Sequence, residues 1–142
     1  MNELSFVNTI SCEDYNRLRA EVNWKTLPQE QALAGIVHSA YLVACRDGEN
    51  AVATARVLWD GGYVAYICDV IVSPTYQKMG IGRELVNRIL NYLKSQLKEG
   101  WFIMVTLVSA HGKEPFYEKI GFIKRPNEQY GAGMTQWIEL KN

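Results

Sequence analysis

Two apolar segments on either side of one amphipathic helix constrain this sequence more than any other feature. Residues 63–72 (YVAYICDVIV) and 101–108 (WFIMVTLV) are apolar at consecutive positions, which is typical of strands that are covered on both faces. Between them, from Ile81 onward, apolar residues recur at helical spacing with charged residues opposite. Because a strand, helix, strand crossover makes its two strands parallel neighbours, the sequence predicts an α/β sheet centred on this pair.

Shorter elements are predicted before and after this unit. Ser11 is the expected N-cap of the first helix, with Asp14 three residues on. Turn residues separate the other segments, so the predicted order is β, α, α, β, β, β, α, β, α, β, β. The additional strands are predicted at residues 4–10, 41–46, 51–59, 122–124 and 135–140, and the additional helices at 12–22, 30–39 and 113–120.

Composition limits the classes of protein to consider. With 142 residues, 48% of them hydrophobic, we expect one domain over residues 1–142. The 15 basic and 15 acidic side chains balance, which argues against nucleic-acid or membrane partners. Cys12, Cys45 and Cys68 lack disulfide or zinc-site spacing, and the N-terminus lacks signal-peptide character. We expect a cytoplasmic protein with reduced thiols and no metal.

The loop before the amphipathic helix reads SPTYQKMGIG over residues 73–82. Gly80 and Gly82 stand at the helix start, where free backbone N–H groups and the positive end of the helix dipole favour a phosphate group. Lys78 and Arg83 add positive charge. The alternative to a phosphate site is a turn in which the glycines only provide a positive φ. A Walker lysine is absent, and Leu85 stands where a dinucleotide fingerprint needs a third glycine.

Residues 77–82 match the pattern Q/R-x-x-G-x-G/A, and the chain here resembles the GNAT N-acetyltransferase superfamily. The stretch CDVIVSPTYQKMGIGRELV resembles the central strand, loop and helix of that family, and PFYEKIGF, residues 115–122, resembles its second conserved block. The resemblance implies the acyl-CoA N-acyltransferase fold, an α+β three-layer architecture whose mixed, centrally splayed sheet has six to seven strands. It also implies acetyl-CoA as co-substrate and no metal.

The resemblance places the cofactor along the backbone of the central strand and the loop after it. Main-chain groups of Val70, Ile71 and Val72 would bind the pantetheine arm, although plain core structure is the alternative for these residues. The pyrophosphate would contact main-chain amides of the loop, with charge from Arg83. The loop residues concerned are Gln77, Lys78, Met79, Gly80, Ile81 and Gly82.

Two residues are candidates for proton transfer. By resemblance, Tyr117 would protonate the departing coenzyme A thiolate, since a phenol stays protonated at neutral pH. Asp69, the one acid in the apolar central strand, is the first candidate for general base; a carboxylate satisfied by backbone N–H groups is the alternative. His111, Glu114 or ordered water could serve instead. Ala110 replaces an asparagine that many members carry, so that cofactor contact is absent.

The acceptor would bind, by resemblance, at the first two helices, their loop and the last hairpin. Four large side chains there would either wall an amine pocket or fill the core: Trp24, Tyr130, Met134 and Trp137. A small-molecule primary amine is the first expectation. A protein or peptide lysine or N-terminal acetyltransferase and a non-catalytic CoA-binding module are the alternatives. A homodimer is left open, because the C-terminal strands offer an edge.

Overall fold

The computed structural model describes residues 3–140. A short 3-10 turn, Pro74–Tyr76, precedes the longest helix. In chain order the strands and α-helices of this range are β1 (Leu4–Val7), α1 (Cys12–Glu21), α2 (Gln29–Val37), β2 (Tyr41–Asp47), β3 (Asn50–Trp59), β4 (Val64–Val72), α3 (Ile81–Ser95), β5 (Met104–Leu107) and α4 (Glu114–Lys119).

The five strands form one mixed sheet in the order β1-β2-β3-β4-β5. The first four strands are antiparallel neighbours, and β5 pairs with β4 in parallel. The α3 crossover therefore joins parallel neighbours as the sequence predicts. The predicted elements up to α4 are confirmed in type and order, and β5 is shorter than the predicted residues 101–108.

The predicted count of six to seven strands is wrong for the described residues, because residues 122–124 and 135–140 are not in strands. In the stretch of chain that separates these two segments, Asn127 forms a local turn: its Oδ1 accepts hydrogen bonds from the amides of Gln129 and Tyr130 at 2.8 and 2.9 Å. A strand requires ladder hydrogen bonds to a neighbouring strand. The β-like sequence alone does not provide that neighbour.

Helices cover both faces of the sheet. Both α1 and α3 pack on β3 and β4, and consecutive residues 51–55 of β3, which point to opposite faces, are buried. From α1, Leu18 packs in a buried cluster with Ala44, Ala51 and Ile71. Apolar residues were predicted at helical spacing from Ile81 to Leu97, and most of them form a buried stripe on α3, but the helix ends at Ser95, before Leu97. The stripe consists of Ile81, Leu85, Val86, Ile89 and Leu93.

The chain divides into two compact units, one ending at Leu107 and one beginning at Val108. The first unit contains the whole sheet, and the second contains α4; each is described by itself below. The prediction of one domain stays a prediction. Across residues 3–140, no helix is both long and apolar enough to cross a membrane.

Candidate active site

The loop between β4 and α3 enters the helix through left-handed backbone conformations. Gly80, the N-cap of α3, has φ = 83°, which glycine adopts without steric cost. Lys78 has φ = 64°. A Cβ added at Gly80 would meet no protein atom within 4 Å, so the space in front of this residue is open. The glycine is required by the backbone conformation and leaves room for a ligand to approach.

A row of backbone amides is left unpaired at this helix start. From Lys78 to Arg83, no amide of the loop donates a hydrogen bond of normal geometry to an acceptor within residues 3–140. The amide of Gln77 does bond, to the carbonyl of Pro74 at 3.4 Å, and its side-chain Nε2 donates to the carbonyl of Val72 at 3.0 Å. Gln77 thus fixes the loop to the end of β4, while the following amides stay free to donate hydrogen bonds at the positive end of α3, as an anion would require.

The sheet is splayed beside this loop. The ladder between β4 and β5 ends where Ile67 pairs with Leu107, whereas β4 continues to Val72. On that side, no strand of the described chain pairs with residues 68–72. The predicted central splay is confirmed, and it leaves a free strand edge at Val70, Ile71 and Val72 that runs directly into the loop.

These two features fit the chemistry of coenzyme A. An extended arm containing amides can add to a free strand edge as a further strand would, and a diphosphate matches a row of unpaired N–H donors. Among the residues described, Lys78 and Arg83 are exposed and make no ion pair, so their charges are available to an anion. The order of the two features along the chain is the order that pantetheine and pyrophosphate require.

Asp69 lies where β4 bulges, and its carboxylate is bonded by three side chains. Its φ is 55°, and the β3–β4 register shifts between Thr54 and Arg56. Arg56 Nε donates to Asp69 Oδ2 at 2.7 Å, Tyr15 Oη donates to the same oxygen at 2.6 Å, and an Arg19 guanidinium N–H donates to Oδ1 at 3.2 Å. The predicted alternative, backbone N–H donors, is replaced here by side-chain donors.

This cluster of Tyr15, Arg19, Arg56 and Asp69, called the Asp69 cluster below, joins several elements to the bulge. The Arg56 guanidinium also donates to the carbonyl of Gly35 in α2 at 3.1 Å, and Arg19 Nε donates to the carbonyl of Lys25 at 2.7 Å. The cluster therefore holds α1, α2 and the loop between them against the splayed part of β4.

Burial and hydrogen bonding shift the acid–base behaviour of this cluster. Burial and the hydrogen bond to Asp69 raise the pKa of the Tyr15 phenol to about 12. Burial alone would lower the pKa of Arg56, but the hydrogen bond and charge of Asp69 raise it above its usual value. At neutral pH the Tyr15 phenol is accordingly neutral and the Arg56 guanidinium is cationic.

Tyr117 lies on α4 in the second unit and is 9% exposed. Its ring meets Phe116 and Phe122 edge to face, with centroids 4.9 and 6.0 Å apart. Burial raises the pKa of its hydroxyl to about 12. The phenol therefore keeps its proton at neutral pH, as a general acid must. His111 is exposed and Glu114 begins α4.

The side chains expected to line the acceptor pocket differ in how far they are buried. Trp24 packs against the cluster around Leu18 and lies under the Arg19 guanidinium at 5.6 Å. Tyr130, Met134 and Trp137 belong to the second unit and are 47%, 95% and 88% exposed, so they do not form a core within that unit. Within residues 3–140, no three His, Cys, Asp or Glu side chains are grouped to hold a metal ion.

Comparison with known proteins places this site in a family. The model of the acetyltransferase (GNAT) family matches residues 6–122, which include β4, the loop and α4. The chain belongs to the GNAT acetyltransferase family. It is therefore an acetyltransferase, from a family whose co-substrate is acetyl-CoA.

Individual relatives agree with this membership. The chain is 27% identical over 128 residues to the uncharacterized N-acetyltransferase ycf52 of Porphyra purpurea, covering 87% of this chain and 71% of the relative. A GNAT-family acetyltransferase from Streptococcus pneumoniae is 26% identical, with a TM-score of 0.75 and coverage of 98% of both chains. A protein of unknown function from meticillin-resistant Staphylococcus aureus, 25% identical, has a TM-score of 0.83 and covers 95% of this chain and 100% of its own.

Sequence reasoning missed the three side chains that bond Asp69 in this GNAT acetyltransferase: Tyr15, Arg19 and Arg56. Arg56 carried a usable signal, because it is the one charged residue among residues 51–59, an otherwise apolar strand, just as Asp69 is in the next. Two lone opposite charges in neighbouring apolar strands are expected to pair. Tyr15 and Arg19 share a helix face at i, i+4, but nothing local indicates that this face meets β4.

Proposed function

We propose that this enzyme transfers the acetyl group of acetyl-CoA to the primary amine of a small molecule. The observation that carries the proposal is the row of unpaired amides from Lys78 to Arg83, placed directly after the free edge of β4. Hydrogen bonds to a charged group contribute about 1.5–3 kcal/mol each. A few of these amides would therefore supply much of the affinity for a diphosphate.

In this proposal the backbone of Val70, Ile71 and Val72 binds the pantetheine arm. The main-chain groups of residues 77–82, namely Gln77, Lys78, Met79, Gly80, Ile81 and Gly82, surround the pyrophosphate, and the Arg83 guanidinium adds charge. Gln77 contributes chiefly through its side chain, which fixes the loop, because its amide already bonds Pro74. The thioester, once held, supplies the acetyl carbon for attack by the amine nitrogen.

Direct attack requires three proton movements. The amine arrives as an ammonium and must lose a proton before its nitrogen forms the new N–C bond. Once that bond has formed, the nitrogen releases a second proton to become the amide nitrogen. As the C–S bond breaks, the sulfur takes up a proton; we assign this donation to the Tyr117 hydroxyl, which then regains a proton from water. Its raised pKa, about 12 because of burial, keeps the proton available at every physiological pH.

For Asp69 we favour positioning over general base catalysis. A base needs an acceptor atom free to take the proton of the substrate, but both carboxylate oxygens of Asp69 already accept hydrogen bonds from side chains. The Asp69 cluster instead fixes the bulge and the α1–α2 loop. Proton removal is then left to water or to another group.

The fixed α1–α2 loop supports a compact acceptor. Leu27 exchanges two hydrogen bonds with the side chain of Asn16, each 2.9 Å long, and Arg19 bonds the carbonyl of Lys25. A preformed wall of this kind suits a small molecule better than an open groove for a peptide. We also propose that the enzyme acts in the cytoplasm, a location that the cysteine usage favours.

The decisive experiment measures coenzyme A thiol release from acetyl-CoA with a panel of small primary amines and lysine-containing and N-terminal peptides. Calorimetric titration with coenzyme A is the parallel binding measurement. We expect saturable binding and turnover with small amines. Turnover with peptides alone would replace the small-molecule acceptor with a protein acceptor, and absence of coenzyme A binding would overturn the cofactor site.

A further inference from the structure

The Asp69 cluster carries more positive than negative formal charge. The guanidiniums of Arg19 and Arg56 share the single carboxylate of Asp69, and arginine side chains stay charged in proteins. Within residues 3–140, neither guanidinium forms an ion pair with a second acid. Both side chains are largely buried, and buried charges are normally compensated. One positive charge is therefore left without a counterpart in a place that water reaches poorly.

Both guanidiniums also keep one nitrogen unused. Arg19 and Arg56 donate hydrogen bonds through Nε and Nη1, and in the described part of the chain neither Nη2 has an acceptor. Neither Nη2 is enclosed, because Asp47 Oδ1 is the one fully buried side-chain nitrogen or oxygen found without a partner there. Each Nη2 therefore has two N–H groups that can donate to a ligand.

The unused nitrogens adjoin the segment that the proposed function gives to the acceptor. Arg19 lies over the Trp24 ring at 5.6 Å, and its Nε bonds the carbonyl of Lys25 in the α1–α2 loop. A Cβ built on Gly35 of α2 would lie 3.4 Å from Arg56 Nη2. All these residues belong to the unit that ends at Leu107. Leaving out the other unit could only increase the exposure of the two nitrogens, so the first unit by itself provides this site.

We propose that the acceptor amine also carries a carboxylate, which the free guanidinium N–H groups of the Asp69 cluster bind. This specificity rests on the proposed function, because it concerns the acceptor of the same reaction. Guanidinium N–H groups match the two oxygens of a carboxylate in geometry. One carboxylate also balances the single surplus charge, whereas a phosphate monoester brings about 1.5–2 negative charges. The acceptor class is therefore amino acids and similar amino carboxylates.

The first test compares acceptors with and without the negative charge. The panel contains the common α-amino acids, a series of ω-amino carboxylates from glycine to aminohexanoate, and the amide of each, with kcat/KM measured by coenzyme A thiol release. The preferred carboxylate should exceed its amide in kcat/KM at least about tenfold, mainly through KM, as a hydrogen bond to a charged group provides. Equal values for carboxylates and amides would overturn the inference, and a preference for aminoalkyl phosphates would overturn the choice of carboxylate.

Variants identify the group that recognises the charge. Arg19→Gln removes the surplus charge and leaves the Arg56–Asp69 pair balanced, so the carboxylate-to-amide ratio of kcat/KM should fall at least about tenfold. Arg19→Lys keeps the charge and should retain part of the ratio. A merely structural role would lower both acceptors equally, so an unchanged ratio in Arg19→Gln would overturn the inference. The control is Arg46→Gln, at an arginine that bonds only the carbonyl of Glu49, and it should leave the ratio unchanged.

A binding measurement separates failure of this specificity from failure of the proposed function. Calorimetric titration of the enzyme–coenzyme A complex with the preferred amino carboxylate and with its amide requires no turnover. Carboxylate-selective binding that Arg19→Gln abolishes supports the inference even if no acceptor is acetylated. Turnover of neutral amines without carboxylate-selective binding would overturn it and leave acetyl transfer to small amines standing. Turnover of peptides alone, again without carboxylate-selective binding, would overturn both.

Discussion

Replacing Asp69 with Asn would leave the Arg19 and Arg56 guanidiniums without the carboxylate that they share. The side chains of Arg19, Arg56 and Asp69 are only 15%, 16% and 13% exposed, so water cannot fully solvate the unpaired cations. Removing one partner of a buried ion pair costs about 3–5 kcal/mol. Because some exposure remains here, we expect Asp69→Asn to reduce the free energy of unfolding by about 3 kcal/mol, a large part of the about 5–15 kcal/mol typical of a domain.

Urea unfolding followed by circular dichroism measures this loss. The matched control is Glu84→Gln, which removes one partner of the exposed pair between Glu84 and Arg88 on α3, with side chains 48% and 42% exposed. An exposed i, i+4 pair contributes only about 0.3–0.5 kcal/mol. If Asp69→Asn costs no more than Glu84→Gln, the Asp69 cluster is not the structural centre that its geometry indicates.

Kinetics separates positioning by Asp69 from general base catalysis. If Asp69 positions the bulge and the acceptor loop, Asp69→Asn lowers kcat/KM but leaves the position of the rising limb of its pH profile unchanged. If Asp69 is the base, that limb disappears. Loss of the rising limb in Asp69→Asn would therefore refute the positioning role of Asp69, even if the variant also lost the expected free energy of unfolding.

Three further predictions concern the loop and the buried phenols. Gly80→Ala should weaken coenzyme A binding in calorimetry. The control is Gly61→Ala, at a glycine with a similar positive φ and equally open space, which should lose only about 1 kcal/mol of stability. Equal coenzyme A binding by the two variants would contradict the phosphate site. Tyr117→Phe should lower kcat at least about tenfold at neutral pH with nearly unchanged coenzyme A affinity, and unchanged turnover would remove Tyr117 as the acid. Since the pKa values of Tyr15 and Tyr117 are raised from 10.0 to about 12, the unfolded chain releases these protons first, and stability should fall between pH 10 and 12. That fall should be smaller in Tyr15→Phe and Tyr117→Phe, and identical slopes in all three proteins would contradict the shifts.

The loop and the parallel pairing of β4 with β5 could be predicted from sequence because their determinants are local, whereas the splay was expected only from the resemblance to the GNAT superfamily. The left-handed backbone conformation at the start of α3 favours a glycine, which is Gly80. The first amides of any α-helix lack a hydrogen-bond partner within that helix. The apolar runs before and after α3 determine which two strands become parallel neighbours. A short segment of sequence therefore contains nearly all the information that this part of the site needs.

The environment of Asp69 could not be predicted in the same way. Its partners come from α1 and β3, 13 to 54 residues away in sequence, and they meet it only because the bulge gives Asp69 a φ of 55°. A bulge shifts the register by one residue and redirects a side chain. A carboxylate that looked isolated in an apolar strand thus becomes the centre of an ion cluster, which reverses the argument for its use as a base.

The C-terminal strand at residues 135–140 is a different kind of error. Its alternating, β-favouring sequence describes what the segment can do once a neighbouring strand is present, and no property of the segment identifies which chain provides that neighbour. In the single chain the ladder is absent and Trp137 and Ile138 stay exposed. The strand prediction therefore described what residues 135–140 favour, and it was wrong in taking that preference as evidence that these residues form a strand of the described sheet.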